Sequence, residues 1–206
     1  MAAQQGEEGP SSGGTSVLGD DDASRPQRAD ARRNYDRLVT AARAVFADEG
    51  SGASMEAIAK EAGVGVGTLY RHFPKRIDIV EAVFREDVDQ LVDLSRTVAN
   101  EMEPSLALDV WLEGFVRYAM RKKQFLNELH EAFEKNPNLK VASRERIEAS
   151  LDTVLSRAQR AGCVRDDLNA ADMMQLLGSM CLSATLTLPQ SERLLAMIKD
   201  GLRSGD

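Results

Sequence analysis

Cysteine is nearly absent: Cys163 and Cys181 are the only two, too few for a disulfide-stapled scaffold or a four-cysteine metal site and in keeping with a reducing compartment. Histidine is equally scarce, with two residues, and one of them, His72, falls inside the helix-turn-helix pattern described below. That leaves little from which to build a metal centre or an acid–base catalyst. No HExxH, P-loop or nucleophile elbow occurs, so the chain does not read as an enzyme, and no cofactor is expected. The longest stretch without a charge, residues 173–191, includes Gln175, Ser179, Ser183, Thr187 and Pro189, too polar for a bilayer-spanning helix. No membrane partner is expected. The first 24 residues lack the basic start and apolar block of a secretory signal, so a cytoplasmic location is the expectation.

What is present is 206 residues with 43% hydrophobic and 29% charged side chains, enough for one or two domains with a buried core. The net charge of −7 gives no bulk hint of nucleic-acid binding, but the charge is unevenly spread. Residues 1–24 hold five acids and no Lys or Arg, and their Gly- and Ser-rich composition reads as a disordered acidic tail, drawn to about residue 27. Residues 25–78 carry ten bases against seven acids, and residues 79–206 sixteen against twenty-one. The basic excess sits in one segment, as it would if that segment alone faced a polyanion.

From Ala29 onward apolar residues recur at three and four, and no alternating stretch is rich in β-branched residues. The expected fold is all-α, about nine helices. Leu38, Ala41, Ala42, Val45 and Phe46 form a stripe ended by Gly50; Ser54 caps a short helix from Met55 to Ala62; a third runs from Val66 to His72, and Pro74 breaks the chain before a fourth from Lys75 to about Ala99. Pro104 opens a fifth, and a sixth carries Phe125, Leu129 and Phe133. Ile147, Leu151, Val154 and Leu155 mark a seventh, Asn169 or Asp172 starts an eighth, and Pro189 starts a ninth.

The segment Ser54 to Phe73, SMEAIAKEAGVGVGTLYRHF, has the order of a helix-turn-helix. Ala59 is small where two helices cross, Gly63 supplies the turn, and Ile58, Val64 and Leu69 form the wedge between them. Its glycines are not a nucleotide loop, because no strand precedes them and the spacing is not GxGxxG. In such a motif the second helix enters the major groove with its N-terminal side chains toward base edges. These are Val66, Gly67 and Thr68, followed by Arg71 one turn later. Tyr70, His72 and Lys75 suit phosphates, with Ser54 as a further contact and Arg28, Arg32 and Arg33 near the backbone or minor groove.

The block from Arg33 to Phe84, above all AGVGVGTLYRHFPKR, resembles the DNA-binding domain of TetR-type transcriptional regulators. RAQRAGCVRDDLNAADMMQLLG, residues 157–178, looks like the seventh-to-eighth helix junction of one subset of them. The resemblance implies a homodimer that binds double-stranded DNA at a palindromic operator, usually represses, and is released when a small-molecule effector enters the C-terminal domain. The DNA-binding domain would span 28–78 and the ligand-binding and dimerisation domain 79–206. Val66 is apolar where many relatives place a polar base reader, and Glu56 is acidic where some use a basic or polar contact, which shifts readout toward Thr68, Arg71 and DNA shape.

In the C-terminal half, Trp111, Phe115, Tyr118, Phe125 and Phe133 concentrate the aromatics on two adjacent helices, the pattern of a pocket lining and equally of an ordinary core. His130, among Glu128, Glu131 and Glu134, has no histidine within helical reach and reads as a surface or pocket-edge residue. The eighth helix carries almost no charge from Met173 to Leu188 and must be covered on nearly every side. The expected dimer interface takes Met173, Leu177, Gly178, Cys181 and Ala184 from it and Leu195 and Ile198 from the ninth; the alternative buries it within one protomer. The competing functional reading is a helical small-molecule-binding protein or enzyme without a DNA role.

Overall fold

The computed structural model describes residues 24–183 and 185–203. The expected acidic tail to residue 23, and Ala184, lie outside them. Among the described residues there are nine α-helices: α1 Ser24–Glu49, α2 Met55–Glu61, α3 Val66–His72, α4 Arg76–Glu101, α5 Pro104–Lys122, α6 Leu126–Lys135, α7 Pro137–Arg160, α8 Ala170–Leu182 and α9 Leu188–Leu202. No strand is formed among them, only an isolated bridge between Val164 and Arg203.

Local chemistry accounts for most of the helix ends. Gly50 takes φ +58 immediately after α1. The Ser54 hydroxyl accepts the Ala57 N–H at 3.0 Å and starts α2. The Lys75 N–H donates to Asp78 at 2.8 Å ahead of α4. Pro104 and Pro137 occupy first helical positions, where a missing N–H costs nothing. Asn169 and Asp172 satisfy each other's backbone N–H groups at 3.0 and 3.2 Å, a reciprocal box at the start of α8.

Two boundaries differ from the sequence pattern. Helix α1 begins at Ser24, so residues 24–27, read as tail, form its first turn. Helix α8 stops at Leu182 rather than following the uncharged run to Leu188. Ser183 turns extended there, Lys123 donates to the carbonyls of Ser183 and Leu186, and Thr187 caps α9. Lys123, just beyond the end of α5, thus holds the turn that follows α8.

Helices α1 to α3 form a small head around Leu38, Phe46, Ile58 and Leu69, all at most 1% exposed. Each such side chain contributes on the order of 1.5–3 kcal/mol by leaving water. Helix α4 is shared between head and body: it packs on α1 at one end and on α5, α6 and α7 along its length. The body's interior is built on Trp111, Leu112, Leu129, Leu151 and Leu155. Ile77, Ile79 and Val80 are buried across the expected boundary at residue 78, so one continuous core joins head to body.

Candidate nucleic-acid interface and cavity

The turn between α2 and α3 is fixed from inside and out. Ala59 and Leu69 are fully buried, Ile58 lies between the helices at 0% exposure, and Val64 is half-buried. Gly63 has φ +62, a conformation that a side chain strains. Its backbone is also gripped by α1: Arg37 donates to the Ala62 carbonyl at 2.6 Å and, more weakly, to that of Gly63 at 3.4 Å. A Cβ at Gly63 would meet that guanidinium at 2.9 Å. Arg37 therefore holds the motif's angle, a part that helical periodicity does not reveal because it depends on which surface α1 turns toward the turn.

Helix α3 faces outward. Val66 and Tyr70 are about two-fifths exposed, Gly67, Arg71 and Lys75 are exposed, and Thr68 is half-buried. Arg71 is folded along its own helix, donating to the Gly67 carbonyl and the Thr68 hydroxyl, both at 3.2 Å. His72 is half-buried beside Tyr35, ring centroids 6.4 Å apart, and so has less freedom than Tyr70. Ser54 is exposed at the start of α2 with its hydroxyl engaged in capping. A Cβ built on Gly67 meets nothing within 4 Å, so neither packing nor backbone conformation requires glycine there. Arg32 and Arg33 are exposed on α1, Arg33 paired with Asp30.

Two polar bridges cross from head to body. Asp87 of α4, 2% exposed, sits 2.8 Å from Arg43 of α1 and 3.7 Å from Arg121 of α5. Burial pushes its carboxyl above the usual range, against the pull of Arg121 and then Arg43. Arg76 donates to the Ala53 carbonyl ahead of α2 and, at 3.1 Å, to Glu128 of α6, with its guanidinium 5.1 Å over the Phe46 ring. Each bridge ties an element of the head to a body helix.

The body contains a cavity of about 360 Å³ bounded by α4, α5, α7 and α8. Phe84, Phe115, Tyr118, Ile147 and Met174 supply apolar walls, and Lys122, Lys123, Lys140 and Arg144 also reach it. Tyr118 stays a neutral phenol, since burial and then the nearby Asp87 raise its pKa. Of the five aromatics expected to line a pocket, Phe115 and Tyr118 do so. Trp111 lies one turn below the floor, fully buried and stacked on Phe115 at 5.7 Å. Phe125 follows the end of α5 and packs on Phe46 of α1 at 5.6 Å, and Phe133 stands edge-on behind Phe84 at 5.3 Å. The shared helix stripe is real, but the cavity occupies only its C-terminal end.

Residues 38–83 match the model of the tetR family of bacterial regulatory proteins, and residues 103–204 match that of the C-terminal domain of SbtR-like transcriptional regulators. A TetR transcriptional regulator of Streptomyces coelicolor superposes with TM-score 0.74 at 36% identity, over 83% of this chain and 99% of its own. The chain belongs to the TetR family. A second TetR regulator, from Mycobacterium vanbaalenii, superposes with TM-score 0.67 at 38% identity, over 87% of this chain and all of its own. An HTH-type transcriptional regulator of Staphylococcus aureus is 32% identical over 101 residues, 48% of this chain and 55% of the relative. The match thus spans about half the length of such curated relatives. Family and fold point to a regulator rather than an enzyme.

Several residues of this TetR-family chain sit elsewhere than their sequence roles suggested. Met173, Leu177, Cys181 and Leu195 are 1, 0, 7 and 3% exposed and face the protomer's own interior. Gly178 and Cys181 line the cavity, and Ile198 is half-buried. The large apolar side chains that α8 and α9 turn outward are Leu176, 50% exposed, Leu188, 46% exposed, and Met197, 70% exposed. A helix with few charges has two apolar faces, and the sequence does not say which one the protomer takes. The cationic side of the cavity was also missed, although Lys122 and Lys123 directly follow the aromatic stripe and Lys140 and Arg144 share a face of α7. His130 is exposed, as expected.

Proposed function

We propose that the chain acts as a homodimeric repressor that binds a palindromic operator in double-stranded DNA and is released by a small-molecule effector in the α4–α5–α7–α8 cavity. The observation that carries the DNA role is the outward face of α3. Gly67 leaves the backbone open with no structural demand for glycine, Tyr70 stands exposed, and the exposed Lys75 ammonium has no ion pair among the described residues. Thr68 and Arg71 are the base readers in this reading: a hydroxyl and a guanidinium one turn apart, whose mutual hydrogen bond is exchanged for contacts with DNA. Tyr70, His72, Lys75 and Ser54 address phosphates.

The dimer forms through the outer faces of α8 and α9, where Leu176 and Met197 would otherwise remain in water. It sets the two α3 helices about 34–36 Å apart, one turn of B-DNA. Effector binding acts through α4, whose ends belong to head and cavity and which carries both polar bridges.

Selection of random duplexes with the purified full chain tests this reading. The expected product is a palindrome with half-sites one turn apart, bound by two chains per site. With about four phosphate contacts per protomer, the slope of log affinity against log salt is about −7. Thr68→Ala alters base preference, whereas Lys75→Ala weakens all sequences alike. Failure to enrich any sequence overturns the proposal.

A further inference from the structure

The charge in the cavity runs against the composition of the protein. The chain holds 33 acidic and 26 basic side chains, yet four of the cavity's lining residues are cationic and none is acidic. Lys123 is already used, since its ammonium donates to the Ser183 and Leu186 carbonyls and holds the turn after α8. Lys122, Lys140 and Arg144 have no carboxylate partner among the described residues. Two other cations of the body do have such partners: Arg146, two residues beyond Arg144, meets Asp89 at 2.6 Å, and Lys199 meets Glu113 at 2.7 Å.

Lys122 is the most constrained of the three. It is half-buried, with its ammonium 5.6 Å from the ring centroids of both Phe84 and Phe133. Burial first, and then the charge of Lys140, lower its pKa. That is the behaviour of a cation held in a low-dielectric site without an opposing charge, and an anion placed there relieves both effects. Lys140 and Arg144 lie one turn apart on α7 and are exposed, which puts them at the cavity mouth, with Ser143 and Ile147 on the same side of the helix.

We infer that the cavity takes an amphipathic anion: an acyl or aryl body against Phe84, Phe115 and Tyr118, and a single anionic head group, carboxylate or phosphate, held by Lys122, Lys140 and Arg144. The apolar walls supply affinity in proportion to the surface they cover, and the cations decide which molecules of that shape are accepted. The effector role of this ligand rests on the function proposed above, but its binding is measured on the free protein.

The test uses two fluorescent probes with one body, 8-anilinonaphthalene-1-sulfonate and the uncharged N-phenyl-1-naphthylamine, titrated into the full chain. Decanoate, decyl phosphate and decylamine serve as competitors. The sulfonate is expected to bind at least about tenfold more tightly than its neutral counterpart, a difference of about 1.4 kcal/mol. Displacement by decanoate or decyl phosphate, and not by decylamine, is expected, and the stronger of the two anions identifies the head group. Bound ligand also perturbs the emission of the single tryptophan, Trp111, behind Phe115.

Lys122→Met and Lys140→Gln each abolish most of the preference for the anionic probe and leave the neutral probe unaffected. Thermal melts establish that both variants are folded; if Lys122→Met is not, the exposed Lys140→Gln and Arg144→Gln decide. Equal affinity for the two probes, or folded variants that retain the preference, overturns the inference. If decanoate binds as expected but leaves DNA affinity unchanged, the ligand class stands and the release mechanism falls.

Discussion

Head and body treat charge in opposite ways. In the head and at its junction with the body, the half-buried cations are matched: Arg43 has Asp87 and Arg76 has Glu128. Those left unpaired, such as Lys75, point to solvent. In the body, Lys122 is turned inward with only aromatic faces for company, and the outer faces of α8 and α9 keep Leu176 and Met197 in water. The contrast teaches that the head leaves its unpaired cations at the surface, whereas the body keeps an unpaired cation inside and apolar side chains outside.

The comparison breaks most severely at Asp87, where the two halves meet. Asp87→Ala leaves Arg43 and Arg121 facing each other without a carboxylate, and should cost about 3 kcal/mol. In a chain of this length that lowers Tm by roughly 6–12 °C, readable by circular dichroism. A change under about 1 kcal/mol would mean that the Asp87 bridge adds little to the apolar packing and the Arg76–Glu128 contact that also join head to body.

Two glycines sharpen the contrast between the inner and outer sides of the head. Gly63→Ala places a Cβ 2.9 Å from Arg37 in a left-handed backbone, and should destabilise by about 1–2 kcal/mol. Gly67→Ala meets only open space and replaces glycine in a helix, so it should raise stability by up to about 1 kcal/mol. The same Gly67→Ala is expected to weaken DNA binding several-fold, because the added methyl lies where the helix approaches the bases. Gain in stability with full DNA affinity would remove Gly67 from the interface.

The bridge through α6 carries a smaller effect. Glu128→Gln keeps the size of the side chain and removes the charge from its contact with Arg76, at about 1 kcal/mol or less because both groups are part-exposed. DNA affinity without ligand should be nearly unchanged, while the loss of affinity on adding an anionic effector should shrink. Equal ligand response in variant and parent would leave coupling to the Asp87 bridge.

The smallest expected effect is one of pH. Because the Asp87 carboxyl titrates above its unfolded value of 3.8, the folded chain binds more protons than the unfolded chain between those two values. The contribution of Asp87 to stability therefore falls as pH rises through that window, opposite to an ordinary paired carboxylate. Urea melts of parent and Asp87→Asn between pH 4 and 6 should differ in slope with that sign.

Much of the head is legible in the sequence. Ser54, Gly63 and the Ile58–Val64–Leu69 wedge each act through neighbours within a few residues, so their order alone locates the two helices and the turn. The cavity was half legible: the α5 stripe pointed to Phe115 and Tyr118, whereas Trp111 on the same helix, and Phe125 and Phe133 beyond its end, do not line the space. The inward orientation of Met173, Leu177 and Cys181 was not legible at all, because a helix apolar on both sides has no hydrophobic direction of its own.

The sequence by itself determined nine helices, several of their ends such as Gly50, Ser54 and Asn169, the helix-turn-helix and the family, since each rests on local spacing and on side chains acting on their own backbone. Only the tertiary structure decided that Arg37 grips the turn, that Asp87 joins α1 to α5, and that Lys122, Lys140 and Arg144 converge on one cavity. These groups come from helices far apart in the chain, and the meeting of charges across such distances is set by packing, which no periodicity encodes.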